Sequence, residues 1–272
     1  MNAVPETRER ERQSPGLTGV DALVVSIVSH GHAEHVAALL RQLAGSCGAS
    51  VSRVVLTVNV PESEMPFAAP PGGWPFVLQI VRNAAPLGFG ANHNRALADA
   101  QERYVCVLNP DVRLLPEEGD VMAALCMAAA SEGAGIAYPV QVDADGVEQD
   151  SRRELTTPWS LVQRRLLRRP QQRCDWVNAA CVVLPTSVWH AVAGFDESFF
   201  MYCEDVDLSL RVQLVGWKLT AAPVRIIHAG QRASGRQWLH FKWHVHSLWT
   251  LWQSPAYTQA RRRLRNLGHL TP

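Results

Sequence analysis

Short β-branched apolar runs alternate along the chain with stretches in which apolar residues recur every three or four positions. The first run covers residues 23–28. After a turn at Ser29-His30-Gly31, Val36, Leu39, Leu40 and Leu43 follow at helical spacing up to Gly45, which predicts a buried strand and an amphipathic helix. Strand signals return at residues 54–58, 77–81, 104–108, 136–142, 176–184 and 218–227. Helices are expected over 96–101, over 122–130 and from the acidic stretch at Glu204 toward Gly216, a suitable C-cap. Strands alternating with helices predict a mostly parallel sheet with a ligand crevice at the C-terminal ends of its strands.

The ends of the chain read differently. The first twenty residues mix Glu and Arg with Pro and Gly and hold no apolar core, so residues 1–20 are expected to be a disordered tail. Residues 21–230 then form the α/β domain. Residues 231–272 form an amphipathic helix and a basic tail, with Trp238, Phe241, Val245, Leu248 and Trp252 on one face and Arg261, Arg262, Arg263 and Arg265 beyond. That face is expected to pack on the domain, with peripheral contact to an anionic membrane as a further option.

Composition narrows the function classes. A net charge of +1 implies no nucleic-acid field. The six cysteines are scattered without a C-x-x-C pair, which reads as reduced core residues of a cytoplasmic protein. No apolar run approaches membrane-spanning length.

Candidate chemistry lies where predicted strands end. Residues 83–94 bring Asn83, Gly88, Gly90, Asn92 and Asn94 into a strand-to-helix connection, suited to close backbone approach by a polar ligand or simply to a turn with an N-cap. Asn109-Pro110-Asp111 stops a strand and leaves Asp111 facing the crevice, where a carboxylate can hold a divalent cation. Glu204, Asp205 and Asp207 open a helix behind Phe199, Phe200, Met201 and Tyr202. Acids there favour the helix dipole, Asp207 can pair with Arg211, and one carboxylate can act as a general base. His228 follows the last strand, where an imidazole can join a carboxylate around a metal. Arg152, Arg153, Arg164, Arg165, Arg168, Arg169 and Arg173, with Trp159 and Leu161 among them, form a basic segment read first as a solvated face and second as a contact for an anionic acceptor.

Taken in order, residues 83–94, Asn109-Pro110-Asp111, Gly194-Phe195-Asp196-Glu197 with residues 199–211, and His228 resemble the family 2 glycosyltransferases of the GT-A fold, most closely the rhamnosyltransferase-like branch. The resemblance implies a single Rossmann-like α/β domain with a mostly parallel central sheet and a C-terminal helical segment. It implies Asp205 as base with Glu204 as its neighbour, and Asp111 and His228 as ligands of Mg²⁺ or Mn²⁺. Ser29, His30, Asn83, Gly88, Gly90, Asn94 and Asn109 would bind the nucleotide-sugar, and Trp176 and Tyr202 the acceptor. The expected partners are a nucleoside diphosphate sugar, dTDP-L-rhamnose by resemblance alone, and a saccharide acceptor that can be lipid-linked. Two departures stand out: Ser29-His30-Gly31 replaces a common Thr-Tyr-Asn, and Ala179-Ala180 a common Gly-Ala. A nucleotidyltransferase or a non-catalytic sugar-nucleotide scaffold are the alternative classes.

Overall fold

The protein is described by a computed structural model covering residues 22–63, 65–157, 173–229 and 237–268. The expected N-terminal tail, Trp159, Leu161, Arg164, Arg165, Arg168 and Arg169 of the basic segment, Gly235, and the side chains of Trp238 and Phe241 lie outside the described residues.

Strands β1 (Leu23–Ser29), β2 (Val51–Val58), β3 (Val77–Arg82), β4 (Tyr104–Leu108), β5 (Val112–Leu114), β6 (Ala134–Val142), β9 (Cys181–Pro185) and β10 (Lys218–His228) make one eight-stranded sheet. Its order is β3-β2-β1-β4-β9-β6-β10-β5. The pairs among β1 to β4 and between β6 and β10 are parallel, as the alternating pattern predicts, while β9 and β5 run antiparallel to their neighbours. A two-residue pair, β7 (Arg152–Arg153) and β8 (Trp176–Val177), stands apart. The single strand expected over 176–184 is therefore two strands, broken by a turn at Asn178 that swings the chain from the small pair into the large sheet.

Side-chain alternation sorts the core into two layers. Tyr104, Cys106 and Leu108 of β4 join the cluster under helices α1 (Ala33–Ser46) and α3 (Val121–Ala129). Val105 and Val107 face the other way, toward α2 (Phe89–Leu97), α4 (Thr186–Ala191) and α5 (Glu204–Leu214). Helix α2 starts seven residues before the expected position, so the second half of the Asn- and Gly-rich stretch is helical.

A third cluster holds the C-terminal helices α6 (Gln237–Gln253) and α7 (Pro255–Asn266) against α5 and the small strand pair. Leu251, Ala256, Tyr257 and Ala260 pack there with Leu155, Trp176, Phe199 and Leu210. The expected basic tail is thus a packed helix, started by Ser254, whose hydroxyl accepts from the Tyr257 amide at 3.1 Å. The buried face of α6 is centred on Ser247, Leu248, Leu251 and Trp252, whereas Val245 and Trp249 are exposed. Among the described residues no helix is long and apolar enough to cross a membrane. All six cysteines are free thiols, five of them buried, as the sequence pattern anticipates.

Leu251 is fully buried where α6 meets the strand pair behind the site. Leu251→Ala is expected to cost about 2–5 kcal/mol, read as a lowered denaturant midpoint; an unchanged midpoint would show that the C-terminal helices are not part of the cooperative unit.

Candidate active site

The C-terminal ends of β1, β2 and β4 open into a cavity of about 830 Å³. His30, Asn59, Asn109 and Asp111 form its floor at those strand ends, and Trp176, Asn178, Tyr202, Glu204 and Asp205 rise from the β8–β9 turn and the start of α5. Trp243, His244 and Leu248 of α6 complete the rim. Seven sequence-predicted residues therefore share one wall: His30, Asn109, Asp111, Trp176, Tyr202, Glu204 and Asp205.

The chain reaches the two acids through an uncommon backbone. Tyr202 and Cys203 both lie in the left-handed region, with φ of 74° and 66°. Each costs an L-residue roughly 1–2 kcal/mol, and the pair turns the chain so that Glu204 and Asp205 open α5 at the cavity. The Asp205 carboxylate accepts from the Val206 amide at 2.8 Å. Burial pushes its pKa up to about 6, against the opposing effects of the Val206 amide and the Arg153 charge. Glu204 is more deeply buried, and one of its oxygens has no hydrogen-bond partner. Burial, followed by the Asp205 charge, pushes it up to about 8, so near neutral pH it is a carboxylic acid beside a carboxylate. Asp207 plays no part at the cavity. It is almost fully buried and its carboxylate accepts from Arg211 Nε at 2.6 Å, the ion pair expected from their spacing.

Across the cavity, β5 pairs antiparallel with β10 and sets His228 opposite Val112, beside Asp111. His228 Nε2 lies 3.5 Å from Asp111 Oδ2. Its Nδ1 is 3.0 Å from Gln141 Oε1, an acceptor, so Nδ1 donates there and Nε2 is the ring nitrogen that faces the carboxylate. Two lone-pair donors separated by less than twice a metal–ligand distance of about 2.1 Å suit a shared divalent cation. Among the described residues no group of three or more His, Cys, Asp or Glu could hold a metal, so this pair could supply only part of a coordination sphere. The donor set fits a magnesium-type site completed by phosphate oxygens and water.

Five residues expected at the nucleotide-sugar do not line the cavity. Ser29 is fully buried and its hydroxyl accepts from the His32 amide at 3.2 Å. Asn83 donates to Asn59 at 2.8 Å and to Asn92 at 2.6 Å, and accepts from Arg95 at 3.1 Å, so its amide is spent on shaping the loop. Asn94 exchanges two 2.8 Å hydrogen bonds with the Phe195 backbone. A Cβ at Gly88 would stand 2.7 Å from the Phe200 carbonyl oxygen, and one at Gly90 2.7 Å from Phe195 Cβ. These small and amide residues serve close approach, but of the chain's own 195–200 segment: the Phe89 amide also donates to the Phe200 carbonyl at 2.9 Å. The stretch clamps the loop that leads to Glu204 and Asp205. His228 likewise stands behind the wall, reaching the cavity through Asp111.

Sequence reasoning missed His32, Asn59 and Asn178 in the wall, Gln141 behind His228, and Arg153, read first as part of a solvated face. Asn59 directly follows a predicted strand, which could have marked it.

No family model matches the chain. It is 29% identical over 246 residues to N-acetylglucosaminyl-diphospho-decaprenol L-rhamnosyltransferase of Mycobacterium tuberculosis, covering 79% of this chain and 78% of the relative. It is 25% identical to rhamnosyltransferase WbbL of Escherichia coli K12, over 82% and 89% of the two chains. Among solved structures it is similar to the mannosyltransferase PcManGT of Pyrobaculum calidifontis in complex with GDP-Man and Mn²⁺, with a TM-score of 0.59 at 14% identity, over 97% and 80% of the chains. S. aureus TarS 1-349 shares the fold with a TM-score of 0.54 at 15% identity over 76% of this chain; the match spans 60% of that structure's length. The mixed sheet with its strand-end cavity is the GT-A fold of these solved structures, and the similarity to two rhamnosyltransferases over most of the chain supports the rhamnosyltransferase-like glycosyltransferase that the joint motifs resemble.

Proposed function

We propose that this enzyme transfers a sugar, L-rhamnose from dTDP-L-rhamnose, to a hydroxyl of a saccharide acceptor in cell-surface polysaccharide synthesis, inverting the anomeric centre. The observation that carries the reading is that Asp205, a carboxylate of raised pKa, lines the same cavity as Asp111, with His228 3.5 Å behind Asp111. The donor identity is supported by the two rhamnosyltransferase relatives, and a lipid-linked acceptor by the M. tuberculosis relative.

Asp205 takes the proton from the acceptor hydroxyl as its oxygen attacks the anomeric carbon opposite the leaving diphosphate. A pKa raised to about 6 makes it a stronger base than an ordinary carboxylate while leaving it mostly ionised at pH 7. Glu204, protonated in the same range, can donate a hydrogen bond to the acceptor without competing for the proton. Asp111 and His228 would hold Mg²⁺ or Mn²⁺, which supplies Lewis-acid neutralisation of the departing diphosphate. Asn109, Trp176 and Tyr202 line the same cavity, and the half-buried Tyr202 would meet the acceptor sugar there. Exposed Trp249 and Val245 on α6, with exposed Arg262, Arg263 and Arg265 on α7, support a cytoplasmic enzyme resting on an anionic bilayer.

A panel of nucleoside diphosphate sugars, assayed for binding and turnover with and without Mn²⁺, tests the reading. Metal-dependent engagement of one donor, lost in Asp111→Ala, is expected; indifference of the folded protein to every donor would overturn it. Asp205→Asn should lower kcat on the order of a hundredfold or more with donor binding nearly unchanged. Glu204→Gln, which keeps a neutral hydrogen-bond donor in place, should remain within about tenfold of wild type near pH 7. Since the base must be ionised, kcat/KM should rise with pH through about 6 and level off above it. A flat profile between pH 5 and 7 would assign the base elsewhere.

A further inference from the structure

Arg153 is the one Lys or Arg among the described residues that line the cavity. It is held in a particular way. Its guanidinium lies over the Trp176 ring, 5.3 Å from the centroid, and the two residues are register partners in the β7–β8 pair. Trp176 is itself fixed, 7% exposed and donating from its indole nitrogen to the Glu154 carbonyl at 2.9 Å. The Arg153 Nε donates to the Asp150 carbonyl at 2.8 Å and meets the Asp150 carboxylate at 3.0 Å. Neither terminal guanidinium nitrogen makes a hydrogen bond among the described residues, although the side chain is only 31% exposed.

The guanidinium is thus oriented by one edge and one face, with two donors left over in the cavity wall. That arrangement suits an oxyanion that accepts from both terminal nitrogens. Its position says which substrate brings the anion. Arg153 is close enough to Asp205 for its charge to act on that carboxylate, and the base faces the acceptor hydroxyl. The donor diphosphate, by contrast, belongs with Asp111 and His228.

Resting on the sugar-transfer reading above, we propose that Arg153, stacked on Trp176, is a specificity-determining residue that binds a phosphate carried by the acceptor next to its reacting sugar. The enzyme then selects saccharides attached through phosphate over the same saccharides with an uncharged aglycone. The neighbouring rim of Trp243 and Leu248 is apolar enough to receive the first part of a lipid beyond that phosphate.

The test uses the full chain and three probes built on N-acetylglucosamine: the 1-phosphate, the diphosphate on a short prenyl chain, and an uncharged octyl glycoside. Binding is measured by calorimetry in the presence of donor nucleotide and Mn²⁺. Wild type should bind both phosphate-bearing probes at least about tenfold tighter than the octyl glycoside, the scale of a charge-assisted contact. Arg153→Gln should erase that preference with donor affinity unchanged, and Arg153→Lys should restore part of it. Equal affinity of wild type for all three probes, or no binding of any, would overturn the proposal, as would a preference that follows the lipid irrespective of phosphate. So would an Arg153→Gln variant that weakens the donor instead, since that would move the residue to the nucleotide side. Donor turnover measured on the same wild-type sample separates this failure from failure of the transfer reading, which would show as no donor engagement at all.

Discussion

Two adjacent carboxylates are buried at the start of one helix, and much of the surrounding structure follows from that constraint. Neither acid forms an ion pair among the described residues, and the arginine of their own helix, Arg211, is already paired with Asp207. The chain accommodates the acids by keeping Glu204 protonated and by giving Asp205 the Val206 amide and the charge of Arg153. What would be a defect in an inert core is here a carboxylate of raised pKa lining a cavity beside a second, more strongly shifted acid.

Holding that arrangement requires support from far along the chain. Two consecutive left-handed residues, Tyr202 and Cys203, persist because the loop around them is pinned from several sides. Asn94, Gly88, Gly90 and the Phe89 amide fasten the 195–200 segment from below, and the Ser247 hydroxyl donates to the Met201 carbonyl at 2.7 Å from the C-terminal helix. The third core cluster, built from α5, α6, α7 and the small strand pair, packs Phe199 and Trp176 with Cys203 and Val206, the residues that flank the acids in sequence. The C-terminal helices therefore stabilise the site as well as the fold.

Much of this was legible in the sequence, and the reasons differ by element. The buried parallel strands and the carboxylates at the start of α5 announced themselves through apolar runs ending in polar residues, because a strand that must be covered on both faces has little choice of composition. From the residues alone Asp111 and His228 read as two separate strand ends, and the family resemblance joined them around one metal. Their meeting depends on β5, a three-residue strand too short to leave a period. The Asn- and Gly-rich stretch was recognised as important but for a ligand, whereas its amides and missing side chains serve the chain's own backbone; composition alone does not say who approaches a glycine. Arg153 was hidden in a run of arginines, and only the pairing of β7 with β8 separates it from its neighbours.

On the proposed reading, Asp205 acts as base opposite a diphosphate leaving group, in a single displacement with no covalent sugar intermediate. The anomeric configuration of the first-formed product, read from its one-bond carbon–hydrogen coupling by NMR, tests this most directly. The expected product has the configuration opposite to that of the donor. A product that keeps the donor's configuration would contradict Asp205 as a base in a one-step transfer and require a different role for the buried acids.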